Sequence, residues 1–215
     1  MKVSIVLHGE TDRVPSMKVD KINKNGVEQA LKIEEELSEI GEKFVFVYPS
    51  TARHEETVDI ISNGKMGYKN NDLAEKDFEI ENASERFFSD DIPADKKREI
   101  SILSYFKVFE PKLVEKFGFE KTQDCFKRVI GAMDMEIETA RVNGADNLVF
   151  VLSSGIGCLL NMTLCGNMSY DEATTCPKTA SNFGIPRGSV LTLTDEQVAR
   201  VRMFNEQIAK GNAIV

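Results

Sequence analysis

The sequence predicts an α/β fold, a largely parallel sheet with helices on both of its faces. Short, uniformly apolar runs such as VSIVL, FVFVY and NLVFVL alternate with longer stretches of helical periodicity. These runs are too continuously apolar to be half exposed, so both of their faces need cover. The order strand, helix, strand, helix lays parallel strands side by side with helices as the crossovers.

The first strand is Val3 to Leu7, and a polar loop follows from Gly9 to about Lys21. In NKNGVEQALKIEEELSEIG, Val27, Ala30, Leu31, Ile33, Leu37 and Ile40 recur at helical spacing, and Gly41 is a C-terminal stop. FVFVYPS is a second strand, and ARHEETVDIIS a second helix that stops near Asn63-Gly64. Residues 65 to about 121 break the pattern and read as a mostly helical insertion over one sheet edge. Seven of the thirteen phenylalanines fall there, either as the insertion's own core or as the wall of an apolar pocket. A long helix from about Thr122 to Asn143 restores the order. The strand NLVFVLS then runs through a tight glycine turn into the helix start SGIGCLLNMTLCG. A polar loop with Pro177 and Pro186, the strand GSVLTLT and the helix DEQVARVRMFNEQIAK complete the chain.

At 215 residues the chain fits one domain, 1–215, carrying that insertion at about 65–121. Its net charge of −8 argues against nucleic acid or an anionic membrane as partner, but not against a small anion in a locally positive pocket. No apolar run approaches the roughly 20 residues needed to span a bilayer. The N-terminal apolar stretch is shorter than the h-region of a signal peptide. A cytoplasmic location is expected. Cys125, Cys158, Cys165 and Cys176 form no CxxC pair, and the chain holds two histidines, so reduced core thiols are expected and no metal site or cofactor.

Functional residues of an open α/β sheet collect at the carboxyl ends of its parallel strands. Three strands here end in His8-Gly9, in Pro49-Ser50-Thr51-Ala52-Arg53 and in Ser153-Ser154-Gly155. Parallel pairing would bring His8, Arg53 and Ser154 to one edge, with Gly9 and Gly155 letting backbone approach a ligand. Such a set suits a phosphoryl group: an imidazole attacks phosphorus and a guanidinium holds two oxygens. A carboxylic acid protonates the leaving oxygen, with Glu75, Asp77, Glu79 and Glu81 as candidates. On residue types alone, a histidine at a strand end is more often a hydrogen-bonded interior residue, and an arginine near a helix start more often a surface ion-pair partner.

The same residues resemble the histidine phosphatase superfamily, which includes the cofactor-dependent phosphoglycerate mutases. The family's RHGET is LHGET here, and its LTENGREQA is similar to KINKNGVEQA. YPSTARHEET matches its strand, arginine and threonine, giving Arg53 and Thr57, and LAEKDFE matches LNERHYG at Glu75. VLSSGIGCLLNMTLCG matches VVSHGG and its helix, and RGSVLTL a late NGSVTVL strand. The resemblance spans nearly the whole chain. It implies a three-layer, phosphoglycerate mutase-like α/β sandwich in which His8 becomes phosphohistidine, Arg53 clamps the phosphate and Glu75 donates the proton. Gly9, Thr11, Ser154 and Gly155 would complete the substrate site.

The departures are as specific. Leu7 replaces the arginine of RHG, Ser154 the second histidine, and Val14 an asparagine six residues after His8. Each missing transition-state contact typically costs about 10²–10³ in rate. The expectation is an impaired phosphate pocket with weak or lost phosphomonoester hydrolysis, and hydrolysis rather than mutase chemistry where any remains. The alternative is a non-catalytic binding or interaction protein on the same fold. A small phosphorylated or other anionic ligand is the expected partner, and a homo-oligomer is open. Arg13, Lys18 and Arg86 are the candidates to replace the missing clamp, and His54 is expected at the surface.

Overall fold

The structure is a computed structural model that describes residues 1–12, 21–65, 67–76, 93, 100, 116–175 and 182–211. Five strands form one sheet in the order β3-β2-β4-β1-β5. They are β1 (Lys2–Leu7), β2 (Phe44–Tyr48), β3 (Gly67–Lys69), β4 (Asn147–Leu152) and β5 (Leu191–Leu193). All neighbours pair in parallel except β1 and β5, which are antiparallel. The helices among the described residues are α1 (Lys24–Ile40), α2 (Ala52–Ser62), α3 (Thr122–Val142), α4 (Ser154–Leu160), α5 (Tyr170–Thr175) and α6 (Asp195–Ala209). A π-helical turn, Asn161–Cys165, continues α4.

Both faces of the sheet are covered, as the apolar runs require. Val3, Ile5 and Leu7 of β1, with Leu148, Phe150 and Leu152 of β4, belong to one core built with α3, α4 and α6. Val6, Val149 and Val151 belong to the other, built with Ala30, Ile33 and Leu37 of α1 and Val58 and Ile61 of α2. The period-2 alternation of strand side chains divides each apolar run between the two layers.

The helix boundaries follow local chemistry. Asn23 caps α1 by accepting from the Gly26 N–H at 2.8 Å. Asn63, left-handed at φ 46°, ends α2. Thr194 and Gln197 close a capping box on α6.

Two readings need correction. The insertion was expected to start at about residue 65, yet Gly67–Lys69 extends the sheet as an edge strand and Asn71–Leu73 forms a 3-10 turn. Three residues are too short a run to show strand periodicity. Phe117 and Phe119 are buried and pack edge to face, while Phe78, Phe87, Phe88, Phe106 and Phe109 lie outside the described residues. The polar loop after Gly166 contains α5, whose short sequence YDEATT shows no apolar stripe. Cys125, Cys158 and Cys165 are free thiols, and burial raises the pKa of each; Cys176 lies outside the described residues. No helix among those residues is long and apolar enough to cross a membrane.

Candidate functional site

The carboxyl ends of β1, β2 and β4 meet at one edge of the sheet, and His8 stands at its centre. Its N–H donates to the Leu152 carbonyl at 3.1 Å, which extends the β1–β4 ladder by one residue. Its side chain is 2% exposed. Nδ1 lies 2.7 Å from the Gly9 carbonyl. A carbonyl only accepts, so Nδ1 carries the proton and Nε2 keeps the lone pair. Burial, foremost, and then the nearby His54, Arg53 and Arg187 hold the His8 pKa well below the usual histidine value. His8 is therefore a neutral imidazole at neutral pH, with the free lone pair on Nε2.

The loop after His8 is clasped from both sides. The Gly9 N–H donates to Thr57 Oγ1 at 3.0 Å, and that hydroxyl donates to the Arg53 carbonyl at 2.7 Å. Gly9 and Gly26 face each other so closely that a Cβ on Gly9 would stand 2.6 Å from the Gly26 oxygen. A Cβ on Gly26 would come within 2.3 Å of the Glu10 oxygen. The first turn of α1 can press on the His8 loop only because both positions lack a side chain.

Arg53 and His54 open α2. Arg53 Nη2 and Glu75 Oε1 form an ion pair at 2.9 Å. Glu75 sits on a short segment held from several directions. Arg128 Nη1 donates to the carbonyls of Asp72 at 2.8 Å and Ala74 at 3.2 Å. Its remaining edge forms a fork with Glu120, at 3.1 and 2.6 Å. Asn71 Oδ1 accepts from the N–H and hydroxyl of Ser50, at 2.8 and 2.6 Å. Asn70 Nδ2 donates to the buried Glu136 of α3 at 2.7 Å, which also accepts from the Tyr68 hydroxyl.

His54 was expected at the surface, and this is overturned: it is 1% exposed and packs edge to face on His8, with ring centroids 4.8 Å apart. Its Nδ1 contacts Thr51 Oγ1 and its Nε2 lies 3.3 Å from Ser153 Oγ. Burial, then Arg53 and Arg187, lower its pKa well below the usual value. The sequence hides this because Arg53 and His54 are adjacent on a helix, where neighbours diverge by about 100°. Here both side chains are nonetheless buried.

Ser154 and Gly155 lie in the first turn of α4, beside His8. The Ser154 hydroxyl accepts from Arg187 Nη2 at 2.9 Å. Arg187 Nη1 donates to the His8 carbonyl and lies 3.3 Å from His8 Nδ1. Since Nδ1 is already a donor to Gly9, that approach is electrostatic rather than a hydrogen bond. Arg187 was missed by the sequence reading; its one signal is a cation next to Gly188 in the turn before a strand at the same edge.

Leu7 lies on the core side of the sheet, not in the pocket. It is 3% exposed, and a Cβ on Gly157 of α4 would meet Leu7 Cδ2 at 2.6 Å. The residue that stands in place of the arginine of RHG is thus a packing contact with α4. Thr11 makes an isolated antiparallel bridge to Ile22. Arg13, Val14, Lys18 and Arg86 lie outside the described residues. No group of three or more His, Cys, Asp or Glu among the described residues is placed to hold a metal ion.

No family model matches the sequence, and no curated protein matches it. Solved structures do. A mycobacterial glucosyl-3-phosphoglycerate phosphatase in complex with inorganic phosphate is 17% identical, with a TM-score of 0.60 over 90% of this chain and 89% of that one. The alpha-ribazole phosphatase of Shigella flexneri is 14% identical, with a TM-score of 0.57 over 91% and 92%. YhfR of Bacillus stearothermophilus is 14% identical, with a TM-score of 0.59 over 89% of each chain. At these identities the likeness establishes architecture: the chain has the α/β fold of the histidine phosphatases.

Proposed function

We propose that the protein hydrolyses phosphomonoesters through a phosphohistidine at His8, at a rate lowered by the loss of an imidazole at position 154. One observation carries this reading. The Gly9 carbonyl fixes the proton on Nδ1 of a buried, neutral imidazole, so Nε2 is presented as a nucleophile beside Arg53.

Nε2 attacks phosphorus as the bond to the leaving oxygen breaks. Glu75, in its protonated form, gives that oxygen its proton. Water then attacks the phosphohistidine, the N–P bond breaks, and the Glu75 carboxylate takes the proton from water. Arg53 carries the phosphoryl charge through both steps, because its planar fork matches two phosphate oxygens. Arg53 Nη2 lies 2.9 Å from Glu75 Oε1, so the clamp and the residue that exchanges the proton are neighbours. Release to water asks less of the clamp than the capture and re-presentation a mutase needs.

The solved phosphatases of this fold support the chemistry by analogy only. A second reading, a non-catalytic binder of a small anion, is favoured by Ser154, which offers no ionisable group to a phosphate. Phosphate release from a panel of phosphomonoesters between about pH 5 and 8 separates the two. Release that disappears in His8→Ala supports hydrolysis, and a silent wild type that still binds inorganic phosphate supports the binder.

A further inference from the structure

His54 has no part in the hydrolysis described above, yet the fold buries it against His8. What surrounds it is unusual. Thr51 is the N-cap residue of α2 and Ser153 that of α4. Serine and threonine are favoured at such positions because the side-chain oxygen accepts from a free N–H of the first turn. Neither does so here. Both hydroxyls turn to the His54 ring instead, Thr51 Oγ1 to Nδ1 and Ser153 Oγ, at 3.3 Å, to Nε2.

We propose that His54 is a positioning residue for His8: clasped between two N-cap hydroxyls, its ring fixes the plane in which the His8 imidazole presents Nε2. The proposal rests on the reading of His8 as the phosphoryl acceptor, and adds a residue that acts through it.

The topology brings the parts together. Thr51 follows β2, Ser153 follows β4 and His8 follows β1, and these strands are neighbours in the order β2-β4-β1. His54 thus links the carboxyl ends of two strands and bears on the residue that ends the third. A hydroxyl can donate or accept, so a neutral imidazole, with one N–H and one lone pair, matches both hydroxyls without a charge. Burial, then Arg53 and Arg187, keep the ring neutral against the opposite pull of the Leu152 carbonyl.

The two restraints on His8 differ in kind. The Gly9 carbonyl holds the ring at one point, Nδ1, and selects the tautomer. One hydrogen bond leaves an imidazole free to rock about it. The His54 ring, with centroids 4.8 Å apart and planes at 71°, limits that rocking. Attack on phosphorus needs the Nε2 lone pair aimed along one line, and small misplacements of a reacting group are costly in rate. A side chain that only filled the space beside His8 would need neither hydroxyl.

The test follows the histidine ring nitrogens by NMR and measures kcat and KM on a phosphomonoester. The chain has two histidines, so isotope-labelled histidine reports on these two rings alone. In the wild type the His8 ring is expected as one tautomer, with the proton on Nδ1. His54→Gln keeps polar partners for both hydroxyls and removes the ring. It should let His8 rock off the Gly9 carbonyl, which moves its nitrogens toward the averaged shifts of exchanging tautomers. It should lower kcat by about 10–10² with KM little changed. His54→Phe returns a ring without its tethers and should recover part of both effects. Thr51→Val removes one tether from a residue whose side chain caps nothing, and should shift both readouts less, in the same direction. A merely structural role would lower the melting temperature and leave the His8 nitrogens where they are.

In a protein that turns over, wild-type kcat in both His54→Gln and Thr51→Val overturns the proposal, and hydrolysis through His8 stands. Where His54→Gln does not fold, Thr51→Val decides alone. In a wild type without turnover the nitrogens decide: disturbed in the variants they support the positioning role, undisturbed they overturn it, and hydrolysis is sunk in either case. A wild type whose His8 carries its proton on Nε2, or exchanges between tautomers, overturns the proposal and removes the observation on which hydrolysis rests.

Discussion

His8 and His54 are two imidazoles packed edge to face, both buried, with two guanidinium groups close by. Burial and both guanidinium groups disfavour a proton on either ring, and His54 disfavours one on His8. For the hydrolysis proposed above, the consequence is that His8 stays unprotonated on the acidic side of the usual histidine range. The acid limb of kcat/KM should therefore lie below about pH 6.5, where a solvated histidine would titrate. The consequence for stability has a definite sign. Both folded pKa values are lowered, so below about pH 6.5 the unfolded chain binds protons that the folded chain does not. Stability is fully present above that pH and is lost as pH falls, with a slope approaching about 1.4 kcal/mol per pH unit for each histidine. Urea unfolding midpoints measured from pH 7 down to about pH 5 check this, and the slope should roughly halve in His54→Gln. His8 was legible from the sequence because it ends an apolar strand next to a glycine. His54 was not, because its place beside Arg53 on a helix does not show which of the two is buried.

At the scale of elements, the segment from Asn70 to Glu75 has almost no apolar anchor apart from Leu73, and polar contacts hold it. Arg128 grips two carbonyls on its path, and the one at Ala74 belongs to the peptide unit that leads into Glu75. In the proposed mechanism Arg128 is therefore a positioning residue for Glu75. Arg128→Met should slow hydrolysis of alkyl phosphates, whose leaving oxygen needs the proton, by at least tenfold more than that of activated aryl phosphates. Equal losses on both would show that the arginine serves stability alone. Glu136 anchors the same segment from α3, and its truncation would strand the Tyr68 hydroxyl and the Asn70 amide. Glu136→Ala should lower stability by about 2–4 kcal/mol in chemical denaturation, since two partly buried donors lose their acceptor. Across the site, Gly26→Ala would drive a methyl group into the Glu10 backbone. The loop carrying His8 must then move, and phosphate release should fall even where the melting temperature holds. The lengths and phases of α1, α2, α3 and α6 followed from periodicity and capping residues. The edge strand β3 did not, because three residues carry no pattern of their own and form a strand only against β2.

At the scale of the whole molecule, the two cores decide which substitutions the site can accept. Leu7 belongs to the core beneath α4, packed on Gly157 where no larger residue fits. Leu7→Arg would bury a guanidinium among apolar groups, at a cost of about 3–5 kcal/mol, comparable to that of an uncompensated buried charge. It should lower the melting temperature without raising phosphate release, and activity gained by this single change would contradict the placement of Leu7. What the sequence determined by itself was the set of local facts: apolar runs that must be covered on both faces, helices bounded by caps and glycines, and a histidine-glycine pair at a strand end. Alternation and capping are short-range, so a linear reading resolves them. What only the tertiary structure decided was the charge around His8. Residues 53, 75, 154 and 187 meet there because parallel pairing aligns the ends of β1, β2 and β4, while the antiparallel β5 returns the turn before it to the same edge. Contacts over such separations depend on strand order and register, which no local spacing in the sequence records.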